Sequence, residues 1–306
     1  MENSNTTHNT LPSPQKASGL TFSVSTLLPV LLSSIFLVLI TILGVTKEES
    51  YTTQDWYKYA NYLLPQISFL AVVAFYMRYT KKPVRKTLIS QKCHLKYFAL
   101  ALLMQVGLFS LSQLNGYFLK WLERFGYQDT GMPMPSMEGW GFVGVFFVIA
   151  VLAAVLEELV FRGAILDGLK EFSTPVAAVI CGGLFAIFHQ NPAQTLYQFC
   201  CGTAFAWIAL RAGSVFPTML SHFLNNAVIL VLYKYGVNEF SPTVNTIILA
   251  VSLVCLSMAI LWLMKGDKSN RQPTKTQTNA KEFFLCAAVG IAICTLTWLS
   301  VLIMGM

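Results

Sequence analysis

Uncharged apolar runs recur at about 23–46, 59–77, 97–119, 139–156, 174–188, 192–210, 214–233, 242–264 and 283–303. A helical span needs about 20 residues to cross the hydrocarbon of a bilayer, so most of these runs qualify alone and the shorter ones need their flanks. No alternating ten-residue strand pattern accompanies them, and backbone groups in lipid must find partners within their own segment or barrel. The expectation is an all-α polytopic membrane bundle of about eight to nine helices with a buried polar site. Composition agrees: 55% of the 306 residues are hydrophobic and 11% charged, against roughly a quarter charged in soluble domains.

The net charge of +7 would suit a nucleic-acid partner, but its placement argues against one. Arg78, Lys81, Lys82, Arg85, Lys86, Lys92 and Lys96 cluster between the second and third runs, and Lys265, Lys268, Arg271, Lys275 and Lys281 between the last two. With nine spans and the amino terminus inside, Lys16, Arg162, Lys170 and Arg211 join them, leaving Lys47, Lys58, Lys120, Arg124 and Lys234 on the other side. The positive-inside rule accounts for this asymmetry. It predicts an integral membrane protein with a cytoplasmic N-terminus, and the lack of eukaryotic retention signals points to a bacterial plasma membrane.

Residues 1–22 read as a disordered tail, too polar ahead of too long a run to be a cleaved signal. Residues 23–139 then hold the first helices, 140–235 the chemistry, and 236–306 the last helices. The seven cysteines show no CxxC pair and read as small buried hydrophobes. Thr174-Pro175, Asn191-Pro192 and Ser241-Pro242 mark helix starts, and Ser214 is an expected N-cap.

The fourth apolar run closes in LEELVFRG, residues 156–163. Ionisable groups at membrane depth are costly, and they are rarely kept without a partner or a task. Glu157 and Glu158 are joined at depth by His189 and His222. Glu158 and Arg162 are four apart and share a helical face, while Glu157 points about 100° away. His222 and Asn226, and Phe185 and His189, have the same spacing of four. If the chain turns near Ser173, Glu158 and His189 each lie about 15 residues, roughly 22 Å, from the turn and should share a depth. Each group alone could be a structural staple between helices; together they form a polar cluster.

Glu157-Glu158-x-x-x-Arg162, Phe185-x-x-x-His189 and His222-x-x-x-Asn226, in that order on separate helices, resemble the three motifs of the CPBP intramembrane proteases, the CAAX-protease and bacteriocin-processing family. The resemblance covers roughly residues 140–235. It implies an endopeptidase acting on a membrane-associated peptide or protein, a prenylated tail or a leader peptide, in contact with membrane lipid. In that scheme Glu157 activates water, His189 orients or shares the proton, His222 and Asn226 stabilise the oxyanion, and Glu158, Arg162 and Phe185 support them. The resemblance leaves two alternatives for a cofactor: a divalent metal such as zinc held by Glu157, His189 and His222, or a metal-free reaction at the same residues. Two other classes compete with the protease. One is a non-catalytic peptide-binding or immunity protein; the other is a proton-coupled transporter, which lacks the paired broken helices of an inverted repeat.

Overall fold

The computed structural model describes residues 11–82, 93–129, 131, 133–237, 240–266 and 279–306. Residues 1–10 of the N-terminal tail and half of the two basic clusters, namely Arg85, Lys86, Lys92, Lys268, Arg271 and Lys275, lie outside the described residues.

Among the described residues nine helices follow one another and there is no strand. They are α1 (Pro14–Ile42), α2 (Asp55–Thr80), α3 (Leu95–Glu123), α4 (Trp140–Leu169), α5 (Thr174–Phe188), α6 (Thr195–Ala212), α7 (Phe216–Lys234), α8 (Pro242–Leu261) and α9 (Ala280–Gly305). All but α5 and α6 are long and apolar enough to cross a membrane, seven in all. The 15 residues of α5 rise only about 22 Å, short of a bilayer core of about 30 Å. The run at 192–210 gives an α6 of 18 residues that is less apolar than these seven, and α5 and α6 pack together as a hairpin.

That hairpin is built on glycine. A Cβ on Gly182 would lie 2.6 Å from the Thr203 nitrogen, and one on Gly202 would lie 2.9 Å from the Gly182 Cα. Small residues let two backbones approach this closely where apolar burial gives helices in lipid little reason to associate. Around the hairpin, α1 packs on α2 and α9, and α3 packs on α6, α7 and α8.

The expected tail is shorter than 22 residues. Ser13 accepts a hydrogen bond from the Lys16 amide, Pro14 opens the helix, and α1 is continuous from there. Its polar first turns are buried against α4: the Ser18 hydroxyl donates to the Ala164 carbonyl and accepts from the Gly168 amide. Polarity within those residues reflects helix contacts, not solvent. The other start signals hold within two residues. Ser241 caps α8 as expected, and Asn191 caps a short turn, Pro192–Gln194, that leads into α6. Helix α5 begins one residue early, after Ser173, and Ser214 caps the turn before α7.

The two ends of the bundle are chemically distinct. At one end Ser13 meets Glu282, Gln15 meets Glu171, and Asp167 takes contacts from Tyr76, Lys82 and Lys170. This end borders both basic clusters and is called the basic face below. At the opposite face the Gln128 amide donates to the Gly305 carbonyl, the Ser136 amide to Asp55, and Trp298 Nε1 to the Thr195 hydroxyl.

Candidate active site

Helix α4 is not a uniform α-helix. Its α-helical stretch Ala153–Glu158 lies between two π-helical segments, Phe146–Leu152 and Leu159–Ile165. Such wide turns are rare and frequently accompany functional sites, because they rotate side chains and free carbonyls. Both glutamates sit at the end of the α-helical stretch, just before the second wide turn.

Glu158 is fully buried. Its Oε1 accepts from Arg162 Nη1 at 2.8 Å and faces His222 Nδ1 at 3.1 Å. Arg162 Nη2 donates to the Gly202 carbonyl at 3.2 Å, which the close approach of α5 and α6 makes available. The guanidinium carbon lies 4.4 Å from the Phe185 ring centroid and 5.5 Å from that of Phe205, so the cation is held between aromatic faces. The pair expected from the sequence thus ties α4 to α6 and α7.

Glu157 turns to the cavity. Its Oε2 is 3.8 Å from His222 Nε2, so His222 stands between two consecutive carboxylates. The partners of Glu158 are Arg162 and His222, and it is Glu157 that shares the cavity wall with His189. Rotation about α4 decides this, since equal depth leaves the facing direction open.

His189 caps the end of α5. Its Nδ1 lies 2.8 Å from the Phe185 carbonyl; that acceptor requires Nδ1 to carry the proton, which leaves Nε2 with a free lone pair. The Phe185 ring packs edge-on to the imidazole at 4.6 Å. Phe185 therefore fixes His189 by backbone and ring together, and also shields Arg162.

His222 lies six residues into α7 and Glu158 eleven before the end of α4, about 9 and 16 Å along their axes. They meet because the last turns of α4 run past the start of α7 towards the basic face. Asn226 shares the cavity, but its Nδ2 donates to the Ile149 carbonyl in the first wide turn at 2.9 Å. One amide hydrogen of Asn226 is thereby engaged and the other remains for a ligand.

The cavity measures about 970 Å³ and is lined by Glu157, His189, His222 and Asn226 together, at the upper end of the range for ligand sites. The sequence motifs did not include its amide wall. Asn225 accepts from Gln105 Nε2 at 3.0 Å and from the Tyr197 hydroxyl at 2.7 Å, and donates to Asn226 Oδ1 at 3.3 Å. The available signal was the doubled asparagine of HFLNN with isolated amides in apolar runs. Nothing in residue type announced the two π-helical segments.

Among the described residues no group of three His, Cys, Asp or Glu side chains could hold a metal ion. Glu157 and His222 approach one another, while the Nδ1 of His189 is committed to Phe185.

Residues 139–228 match the family model described as type II CAAX prenyl endopeptidase Rce1-like. That stretch is similar to the Rce1-like family. It opens at the start of α4 and ends within α7, so it contains all three motifs and both histidines of the cavity. No curated protein and no solved structure matches the chain.

Proposed function

We propose that this integral membrane protein is an endopeptidase that hydrolyses a peptide bond of a membrane-associated peptide with water activated by Glu157. The observation that carries this reading is the convergence of Glu157, His189, His222 and Asn226 on one cavity, all four from the stretch similar to the Rce1-like family.

A water between the Glu157 carboxylate and His189 Nε2 gives its proton to Glu157 as its oxygen bonds to the scissile carbonyl carbon. His189 orients that water through its lone pair. The carbonyl oxygen gains the displaced electron pair and receives the remaining amide hydrogen of Asn226 and, from the imidazolium form, the Nε2 hydrogen of His222. Donors placed where charge develops contribute about 10²–10³ in rate each. Collapse of the adduct breaks the C–N bond, and Glu157 returns its proton to the leaving amine. Glu158 accepts from His222 Nδ1 and keeps Nε2 directed at the reacting atoms, a role like that of a carboxylate behind a ligand histidine.

The lining supports a peptide ligand: Gln66, Gln113, Asn115, Gln194, Gln198 and Asn245 surround the catalytic groups, and no lysine or arginine is among the lining residues. Carboxamides pair with backbone amides without demanding charge. The test is cleavage of quenched peptides, prenylated and leader-like, by the purified protein with and without a chelator. Cleavage that survives chelation supports the metal-free route; cleavage lost on chelation and restored by zinc assigns a metal to it.

A further inference from the structure

We propose that Asn225, itself held by Tyr197 and Gln105, is a positioning residue that fixes the carboxamide of Asn226 so that the cavity meets an N–H of that group and not its oxygen. This rests on the protease reading, in which Asn226 donates to the carbonyl oxygen, and adds what makes Asn226 a donor.

The two ends of a carboxamide are nearly equal in shape and opposite in hydrogen-bonding sense, so an untethered Asn226 would offer either end to a ligand. Four links leave one sense here. The Ile149 carbonyl can only accept, so the Asn226 atom 2.9 Å from it is Nδ2. Asn226 Oδ1 then points to Asn225 and needs a donor, which is Asn225 Nδ2 at 3.3 Å. That turns the Oδ1 of Asn225 the other way, where it accepts from the Tyr197 hydroxyl at 2.7 Å and from Gln105 Nε2 at 3.0 Å. Reversing either asparagine alone would set oxygen against oxygen and N–H against N–H.

Helix α3 places the whole relay. The Ser221 hydroxyl donates to the Ala101 carbonyl at 2.8 Å, and one turn further along both helices Gln105 meets Asn225. Two contacts a turn apart fix the rotation of α7 against α3. Asn226, about 100° further round, is thereby aimed at the wide turn of α4 and the cavity. Tyr197 is set from the same helix: its amide donates to Asn115 Oδ1 at 3.3 Å, and Asn115 Nδ2 donates to the Ala193 carbonyl at 2.8 Å.

Tyr197, Asn225 and Asn226 line the cavity, and Gln105 is buried beside them. Both Gln105 and Asn115 belong to α3, which lies outside the matched residues 139–228. The donor at Asn226 therefore depends on a helix that the family match does not include.

The experiment is a double-mutant cycle of Tyr197→Phe with Asn226→Ala in the full-length protein, read by kcat and KM on one quenched peptide that the parent cuts, and by thermal unfolding. The hydrogen bonds from Tyr197 reach Asn226 through Asn225, so coupling between the two substitutions reports the relay. Tyr197→Phe should lower kcat about 2–10-fold, the worth of one neutral hydrogen bond, with KM little changed. In the Asn226→Ala background it should lower kcat no further, and its shift in unfolding temperature should shrink. Asn225→Leu keeps the size of the side chain and removes both hydrogen-bonding ends. It should cost about 10²–10³ in kcat, as for a missing oxyanion donor, and again nothing more once residue 226 is alanine. If Asn225→Leu does not accumulate, the Tyr197→Phe cycle decides alone. Parent-like kcat in Asn225→Leu, a loss confined to KM, or losses that multiply in the double variants overturn the proposal. If the parent cuts no peptide, the protease reading fails and the unfolding temperatures decide the relay separately: non-additive shifts support it, and additive shifts overturn it.

Discussion

The Nε2 of His222 stands 3.8 Å from Glu157 Oε2 while its Nδ1 faces Glu158 Oε1 at 3.1 Å. Two adjacent carboxylates thus address the two nitrogens of one imidazole, yet one of them borders the cavity and the other is sealed against Arg162. Identical chemistry at consecutive positions is divided by rotation about a helix.

Glu157→Gln and Glu158→Gln should therefore fail differently. Glu157→Gln keeps the shape of a group at the cavity wall and should unfold at the parent temperature. Glu158→Gln leaves the buried Arg162 without its anion, a change that costs about 3–5 kcal/mol when a buried pair is broken. Thermal unfolding in detergent should show a clear loss for the second variant alone.

His189→Asn should retain the fold and lose cleavage by about 10²–10⁴, the range for an acid–base group. Asparagine can still donate to the Phe185 carbonyl but offers no imidazole lone pair at the cavity. Circular dichroism beside the rate measurement separates the two effects.

Much of this site was legible beforehand because its chemistry requires polar side chains where lipid disfavours them. Glu157, His189 and His222 were visible for that reason, and spacing of four paired Glu158 with Arg162. Spacing did not give the azimuth of α4, because the π-helical turns on either side of Ala153–Glu158 leave no mark in residue type. Nor did it give the amide wall, since Tyr197 and Gln105 lie far apart in sequence and are brought together beside Asn225 by the fold. The fold was legible as apolar runs. The hairpin of α5 and α6 was not, because α5 is apolar but too short, α6 is long enough but less apolar than the spans, and their contact at Gly182 leaves no mark in composition.

Gly182→Val should destabilise the protein by about 1–3 kcal/mol, the usual cost of overpacking, and should lower activity as well. Moving α6 away takes the Gly202 carbonyl from Arg162 Nη2. The unfolding temperature and the cleavage rate should fall together.

Asp167→Asn tests whether the basic face acts apart from the site. Asp167 receives Tyr76, Lys82 and Lys170, and bonds to a charged partner contribute about 1.5–3 kcal/mol. Stability should drop, while the cleavage rate of the folded protein stays at the parent value.

The most direct measurement is the cleavage rate of purified Glu157→Gln against the parent on one peptide that the parent cuts, at matched amounts of folded protein. The account predicts that the parent cleaves and the variant, equally folded, does not. A variant that cleaves at the parent rate would contradict the assignment of Glu157 as the group that activates water.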